Sequence, residues 1–206
     1  RFPFGQADYT SFISIFKEKK VDILTGVLIT PDWVTAWRQC HQQGYVPKVA
    51  TIGKALLFPV AINAIGGELP MGLTTEIWWS PHHPFKSSLT GQTPKDLCAL
   101  WSKETGKQWT AAVGAKHYAW ERAYDALVRA ESLEKTKLAE AMARTDMKTA
   151  IFADHVKYNK QNWSPTPLVG GQWVKGKKWP WELEVISNKQ NPEVPITSKM
   201  IFPLPK

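Results

Sequence analysis

The sequence predicts an α/β fold built on a parallel sheet, and residues 21–53 carry most of that prediction. Residues 21–29 form a short apolar run rich in β-branched side chains, which indicates a buried strand. Trp33 and Trp37 then recur at helical spacing, and residues 49–52 form a second short apolar strand. A strand, a helix and a strand in so short a stretch indicate a βαβ unit, whose two strands lie parallel.

Four residues follow these two strands at one edge of the predicted sheet. Ile29 and Thr30 close the first strand, and Gly53 and Lys54 close the second. In open parallel sheets, ligands bind in the crevice outside the carboxyl ends of the strands. Lys54 suits a ligand carboxylate as a point charge, although a solvated loop lysine is the competing interpretation. The sequence therefore predicts a ligand site at this edge.

The other elements follow from periodicity and from turn residues. A third strand is predicted by the alternation that ends at Trp79, and a Ser/Pro/Gly-rich loop follows it. Towards the C-terminus, strand-like segments replace helices, and prolines mark an extended tail. The predicted helices cover residues 7–20, a short segment after Pro59, 93–104, 114–130 and 134–144, and the predicted strands cover 73–79, 172–174 and 182–186.

The strongest helical pattern lies in residues 114–130. Tyr118, Trp120, Tyr124 and Leu127 form a broad apolar stripe along it, and small alanines between them allow close packing. This stripe predicts a helix that packs against another layer of the protein.

Composition narrows the class of protein. The chain has 206 residues, of which 43% are hydrophobic, so it suits one large domain or two small ones with a real core. No apolar run approaches the roughly 20 residues that a membrane span requires. The two cysteines, Cys40 and Cys98, lie in apolar helical stretches, which is typical of buried free thiols.

The charge of the chain leaves two interpretations. The net charge is +8 and the pI is about 9.4, which fits either nucleic-acid binding or a solvated basic surface on a secreted protein. Lysines and arginines are spread along the chain, and no recognised nucleic-acid module accompanies them. The second interpretation is therefore favoured, and no nucleic-acid partner is expected.

No catalytic or metal-binding set can be assembled from the sequence. The nucleophile, zinc-protease, phosphate-loop and dinucleotide motifs are missing. His82 and His83 are adjacent, so their side chains diverge, and carboxylate or cysteine partners are not close in sequence. His117 and Glu121 lie four residues apart, where a contact on the helix surface is favoured over an incomplete metal pair. No enzyme activity, metal or cofactor is expected.

Tryptophan is used heavily, with eleven residues in 206. Most of these rings should lie in the core. Trp78 and Trp79 are consecutive at the exit of the third predicted strand, so they point to opposite faces. Either ring could line the crevice above the sheet as an aromatic wall for a ligand, and packing is an equally good interpretation.

At this point the sequence resembles a known family. The segments that carry the resemblance, in order, are DYTSFISIFKEKKVDILTGVLITPDWVTAWRQCHQQGYVPKV, GLTTEIWWSP, GAKHYAWERAYDALVRA and TDMKTAIFADHVKY. Together they look like the C-terminal part of a periplasmic solute-binding protein of the branched-chain amino acid (leucine-type) ABC transporters. The resemblance covers nearly all of this chain and somewhat more than half of a full-length family member.

The resemblance implies a type I periplasmic-binding-protein fold, with a parallel-sheet lobe, flanking helices and part of a second lobe. Such proteins close two lobes on a solute like a hinge. Residues 1–105 would form lobe two, residues 165–206 would return to it, and residues 106–164 would supply helices and a strand of lobe one. The chain lacks an initiator Met and a secretory leader, which suggests a mature, processed or truncated form. Such a portion would expose an apolar surface and would pair with a second copy to cover it.

The resemblance also implies which residues bind the solute in the interlobe cleft. Ile29 and Thr30 match the first-strand loop and Gly53 and Lys54 match the second, while Trp78 and Trp79 match the exit of the third strand. Leucine-type receptors hold the ligand's amino group with an acidic residue near the GGELPMG turn. Here Met71 falls nearest to that place and Glu68 is offset, which favours an amine-free aromatic or aliphatic carboxylate over an α-amino acid.

The function expected from this resemblance is capture of a small carboxylate-type or amino-acid-like solute in the periplasm or outside the cell. The partner of the closed form would be the membrane permease of an ABC importer. Two alternatives remain: a ligand-sensing domain of a receptor or regulator, which shares the fold, and a doubly wound α/β enzyme. The enzyme would need a glycine-rich phosphate loop at a strand-to-helix turn, and residues 30–32 do not provide one.

Overall fold

The computed structural model describes residues 3–153 and 155–205, and helices and short strands alternate along it. In chain order the elements are α1 (Thr10–Glu18), β1 (Ile23–Leu28), α2 (Thr30–Gln42), β2 (Val49–Lys54), a 3₁₀ turn (Ala55–Leu57), α3 (Pro59–Ile65), β3 (Thr74–Ile77), α4 (Pro94–Thr105), α5 (Ala111–Ala130), α6 (Lys135–Ala143), β4 (Asp146–Met147), β5 (Val156–Lys157), β6 (Val169–Lys175) and β7 (Trp181–Ser187).

A five-stranded sheet in the order β1-β2-β3-β6-β7 is the main feature. β1, β2 and β3 run parallel, and β6 and β7 continue the sheet in antiparallel fashion. The predicted βαβ unit is therefore present, with α2 as its crossover helix. The mixed α/β fold with a parallel centre is confirmed.

The chain divides into two compact units. Unit 1 comprises the residues up to Ile77, Val169–Asn188 and the residues from Ile196 onwards, and unit 2 comprises Trp78–Leu168 and Lys189–Pro195. The division between them falls directly after β3, whereas the sequence placed a lobe boundary at residue 105. The compact units are defined by contacts within the chain and do not test which residues form a ligand-binding lobe. The assignment of residues 1–105 and 106–164 to two lobes therefore stays a prediction.

The core of unit 1 lies around the inner strands. Trp33 and Trp37 of α2 stack with their ring centroids 5.2 Å apart, and the indole N–H of Trp173 donates to the Leu56 carbonyl at 2.8 Å. The second contact joins β6 to the turn that follows β2. The largest fully buried side chains of this unit are Ile13, Trp33, Trp37, Ile52, Leu56, Ile62, Ile65, Leu73, Ile77 and Trp173.

The prediction that residues 21–29 form a buried strand is wrong in its burial. The strand is present as β1, but it is an edge strand whose residues alternate between exposed and half-buried. Ile23 is 61% exposed and Val27 is 77% exposed. Among the described residues, only β2 pairs with β1, so one edge and one face of an apolar strand stay open to solvent.

The C-terminal tail returns to unit 1 and closes one end of its sheet. Gln172 of β6 donates to the Gly72 carbonyl at 2.8 Å and accepts from the Ile201 N–H at 2.7 Å. The Leu204 N–H donates to the Lys48 carbonyl at 3.0 Å. The extended tail that the prolines predicted is therefore part of the fold.

Unit 2 is mostly helical. A capping box between Thr93 and Asp96 begins α4. The carboxylate of Glu121 on α5 is fully buried and accepts from the main-chain N–H groups of Ser88 (2.6 Å) and Ile151 (3.0 Å). Glu121 thus ties a loop and a turn to α5. The predicted contact on the helix surface is wrong because Glu121 is fully buried; the His117 ring bonds to the Ser87 hydroxyl at 2.7 Å.

The predicted stripe on α5 faces solvent over much of its length. Trp120 is 72% exposed and Tyr124 is 58% exposed, and Leu127 and Val128 are exposed as well. Their spacing of four, three and one residues places all four on one side of the helix. We call this set the α5 stripe.

Cys40 and Cys98 are buried free thiols, and burial raises the pKa of Cys40 to about 12. Across residues 3–153 and 155–205, no helix has the length and apolarity needed to cross a membrane.

Candidate functional site

The carboxyl ends of β1 and β2 bring four of the predicted site residues to one edge of unit 1. In the parallel register Leu28 lies opposite Lys54. Ile29 and Thr30 directly follow Leu28, so they leave the sheet at the same edge as Gly53 and Lys54. We call Ile29, Thr30, Gly53 and Lys54 the rim.

The rim offers one formal charge among small or apolar groups. Lys54 is exposed, whereas Ile29, Thr30 and Gly53 are half-buried. An ammonium group at the edge of a largely apolar surface suits the carboxylate of a small solute.

The backbone at Lys54 departs from ordinary strand geometry. Its φ is 64° and its ψ is −61°, a region in which a non-glycine residue costs about 1–3 kcal/mol. The 3₁₀ turn that follows is fully buried at Ala55, Leu56 and Leu57. The chain therefore turns sharply from an exposed residue into the core.

Glu76 lies beside the rim and was missed by the sequence reasoning. Its Oε1 atom accepts from the Lys54 N–H at 3.2 Å, and its Oε2 atom lies 2.9 Å from the Thr75 hydroxyl. The available signal was a single charged residue within β3, whose other three residues are buried. A carboxylate in such a strand requires hydrogen-bonding partners, which points to a specific role.

Gly53 gives the Glu76 carboxylate room. A Cβ atom at Gly53 would lie 3.3 Å from Glu76 Oε2 and 3.3 Å from Val27 Cγ2. That separation is tighter than most Cβ contacts, so both neighbours would have to shift. The small residue at this rim position is therefore matched to the side chains of the adjoining strands.

Trp78 and Trp79 belong to unit 2, whereas the rim residues belong to unit 1. Trp79 has no exposed surface, and its indole N–H donates to the Ile151 carbonyl at 3.1 Å. A Cβ atom at Gly114 of α5 would lie 2.1 Å from the Trp79 ring. For Trp79 the structure thus shows a packing role within the core of unit 2.

Trp78 is half-buried and packs against the same cluster as Trp79. As a residue it keeps some exposed surface, whereas Trp79 has none. A role of Trp78 in ligand binding stays a prediction.

The GGELPMG turn lies in unit 1 but makes contacts of its own. Glu68 forms an exposed ion pair with Lys175 at 2.6 Å. Met71 lines a cavity of about 250 Å³ together with Trp37 and Leu204. Glu68 is thus paired with a lysine of β6.

The histidines that suggested a metal site have other partners. His83 is buried, and its Nδ1 atom lies 3.1 Å from the Ser80 N–H, which fits a neutral ring that accepts a hydrogen bond. Burial and the nearby His82 lower the pKa of His83 to about 4. Within the described part of the chain, no group of three or more His, Cys, Asp or Glu residues is placed to hold a metal ion.

Comparison with known proteins gives the fold and the family. Residues 1–178 match the periplasmic binding protein family. A search of curated proteins gave no match.

Solved structures share the fold at low sequence identity. A leucine-binding protein from Thermotoga maritima is 19% identical, with a TM-score of 0.72 over 91% of this chain and 51% of that chain. A branched-chain amino acid transporter substrate-binding protein from Streptococcus pneumoniae, in complex with isoleucine, is 11% identical, with a TM-score of 0.70 over 90% and 50%.

A third similar structure is a solute-binding protein of an ABC transporter from Rhodopseudomonas palustris, in complex with 3,4-dihydroxybenzoic acid. It is 14% identical, with a TM-score of 0.63 over 90% of this chain and 51% of that chain. The chain therefore spans about half the length of the solved structures that it matches.

Proposed function

Because the chain belongs to the periplasmic binding protein family, we propose that it is the solute-capturing portion of the extracytoplasmic receptor of an ABC importer. The family and the type I fold are those of solute-binding proteins, which are not enzymes. The proposed solute is a small carboxylate-type or amino-acid-like compound. The proposed partner is the importer's membrane permease, and the proposed location is the periplasm or the cell exterior.

The observation that carries the solute class is the exposed Lys54 at the carboxyl ends of two parallel strands. Lys54 supplies the positive charge, and Ile29 and Thr30 supply the adjoining surface. The proposal rests on these unit 1 residues; Trp78 and Trp79 belong to unit 2, where Trp79 is fully buried. Binding of a carboxylate through Lys54 would orient a solute whose remaining body is apolar or aromatic.

Two of the similar structures support this solute class. The S. pneumoniae protein holds isoleucine and the R. palustris protein holds 3,4-dihydroxybenzoic acid, and both compounds carry a carboxylate. Met71, where the leucine-type receptors were expected to place an acidic residue, favours the compound without an amine.

A screen of the full-length protein that contains this chain tests the proposal. Thermal shift followed by calorimetry would compare 3,4-dihydroxybenzoate, other benzoates, leucine and isoleucine with the matching methyl esters and amides. A ligand at 100 times its dissociation constant stabilises a protein by about 2.7 kcal/mol, which is readily seen as a melting shift. We expect a carboxylate to bind and the counterpart without a carboxylate to fail. Equal binding of acid and ester would contradict the role of Lys54.

The alternative classes predict different results. A receptor or regulator would carry a transmembrane or DNA-binding segment elsewhere in the full-length protein and would bind solute without supporting uptake. An enzyme would convert the solute, which mass spectrometry of the recovered compound would reveal. Solute-dependent uptake with the permease, and recovery of the solute unchanged, are the outcomes that the proposal expects.

We also propose that the chain by itself pairs with a second copy. The α5 stripe is an exposed apolar face on a 20-residue helix, and such a face is a ready self-association surface because a two-fold dimer buries the same patch on both copies.

A further inference from the structure

The backbone of Lys54 adopts a conformation that lysine rarely takes. With φ at 64° and ψ at −61°, it lies in the γ-turn region where the side chain crowds the main chain. Glycine would take this conformation far more readily, yet lysine holds the position and Gly53 precedes it. The surrounding residues must therefore hold the Lys54 backbone in place.

A hydrogen bond from the Lys54 N–H to Glu76 fixes the start of the turn. Its Oε1 atom accepts from the Lys54 N–H at 3.2 Å, and its Oε2 atom lies 2.9 Å from the Thr75 hydroxyl. A carboxylate accepting a main-chain N–H forms a charge-assisted hydrogen bond, which is stronger than a neutral one. Glu76 is half-buried on β3, so its position is set by the sheet.

Burial of the residues that follow Lys54 fixes the end of the turn. Leu56 and Leu57 are buried, and the Leu56 carbonyl accepts from the Trp173 indole N–H at 2.8 Å. The residue after Lys54, Ala55, has no exposed surface. Lys54 therefore stands as the single exposed residue of a turn that is anchored before and after it.

We propose that Glu76 is a positioning residue of the rim: its bond to the Lys54 N–H sets the turn that directs the Lys54 ammonium group towards the solute. This inference rests on the proposed function. The Glu76 carboxylate is engaged within unit 1 by the Lys54 N–H and lies beside the Thr75 hydroxyl, so the role proposed for it acts through the Lys54 backbone.

The first test needs no solute. Amide hydrogen exchange of Lys54 in the full-length protein would be compared between wild type, Glu76→Ala and Glu76→Gln. Loss of the acceptor should speed exchange of this amide roughly 10-fold or more, whereas glutamine keeps an oxygen that can accept and should restore most of the protection. Equal exchange in wild type and Glu76→Ala would overturn the anchor.

The second test separates positioning from general support of the sheet. Lys54→Gly keeps the main-chain N–H and removes the conformational penalty. Loss of the Glu76 bond lets a strained turn relax in wild type only, so Glu76→Ala should lower the melting temperature more in the Lys54→Gly background than in wild type. An equal loss in the two backgrounds would show that Glu76 stabilises the sheet by another route, and the inference would fail.

The third test uses binding, with 3,4-dihydroxybenzoate and isoleucine as probes. We expect Glu76→Ala to lower the affinity for the probe roughly 10-fold. Glu76→Gln should recover most of that loss, because its side-chain oxygen again accepts from the Lys54 N–H and orients the Lys54 ammonium group. A wild-type protein that binds no carboxylate would refute the proposed function. A wild-type protein that binds and a Glu76→Ala variant with unchanged affinity would refute only the positioning role.

Discussion

At the scale of single residues, β2 carries a lysine at each end in different surroundings. Lys48 precedes the strand and forms an exposed ion pair with Asp22 at 2.8 Å. Lys54 ends the strand at the rim, with its backbone held by Glu76. The two lysines therefore form a matched pair in which only one is proposed to meet the solute.

We predict that Lys54→Gln in the full-length protein lowers affinity for a carboxylate solute roughly 10- to 100-fold. The reason is loss of a hydrogen bond to a charged group, worth about 1.5–3 kcal/mol. Lys48→Gln should change affinity less than about 2-fold, because it removes only an exposed pair at the opposite strand end. Isothermal titration calorimetry measures both, and equal affinities for the two variants would remove Lys54 from the site.

His83 predicts a pH dependence of stability in unit 2. Its pKa of about 4 lies below the ordinary 6.5, because burial disfavours the charged ring and His82 adds repulsion. As pH falls from 6.5 to 4, the unfolded chain binds a proton at this residue and the folded chain does not. The free energy of unfolding therefore falls through that window, by about 3 kcal/mol in total, and is fully retained above pH 6.5.

Urea unfolding at pH 7.5 and pH 4.5 tests this sign. His83→Asn keeps a side-chain oxygen that can accept from the Ser80 N–H, and it has no titrating ring. We expect the loss of stability on acidification to be smaller in His83→Asn than in wild type. A loss of the same size in both proteins would assign the pH dependence to other groups.

At the scale of elements, α5 approaches Trp79 so closely that only glycine fits between them. Gly114 lies within the helix, where alanine is normally favoured by about 1 kcal/mol. A Cβ atom there would meet the Trp79 ring at 2.1 Å. The contact therefore reverses the usual helix preference.

We predict that Gly114→Ala destabilises the protein by about 1–3 kcal/mol, since the indole would have to shift within a packed core. Ala119→Gly on the exposed side of the same helix is the control, and it should cost about 1 kcal/mol by propensity alone. Unfolding curves of the two variants decide the matter. A stabilised Gly114→Ala variant would contradict the close approach of α5 to Trp79.

The elements also show how far the sequence can be read. The βαβ unit over residues 21–53 followed from two short apolar runs and the helical spacing of Trp33 and Trp37 between them, and α5 followed from its stripe. The exposure of Ile23 and Trp120 did not, because an apolar pattern reports which side chains favour burial and not whether a covering layer is present. Glu76 was missed because its partners, the Lys54 amide and the Thr75 hydroxyl, come together only through strand pairing.

At the scale of the whole molecule, the chain spans about half the length of the structures it resembles, and it exposes apolar surface in both units. Val27 and Ile23 lie open on β1 in unit 1, and the α5 stripe lies open in unit 2. In unit 1 the strand ends at the rim and the register of β1 and β2 are nevertheless defined.

We predict that the isolated 206-residue chain self-associates through the α5 stripe. Sedimentation at increasing concentration should show dimers or larger species for wild type, and Trp120→Ser with Tyr124→Ser should shift the population towards monomer. Val60→Ser, which changes an exposed apolar residue of unit 1, is the control and should have little effect. Identical sedimentation of all three proteins would exclude the stripe as the contact surface.

The long sequence separation of two contacts within unit 1 has a consequence for biosynthesis. The bond between Trp173 and Leu56 spans 117 residues, and that between Gln172 and Gly72 spans 100; most of the intervening residues belong to unit 2. During synthesis, β1, β2 and β3 therefore keep their apolar faces uncovered until the ribosome has made β6, β7 and the tail. Closure over so long a loop is slow, so premature termination near residue 168 should leave a nascent chain that depends on chaperones.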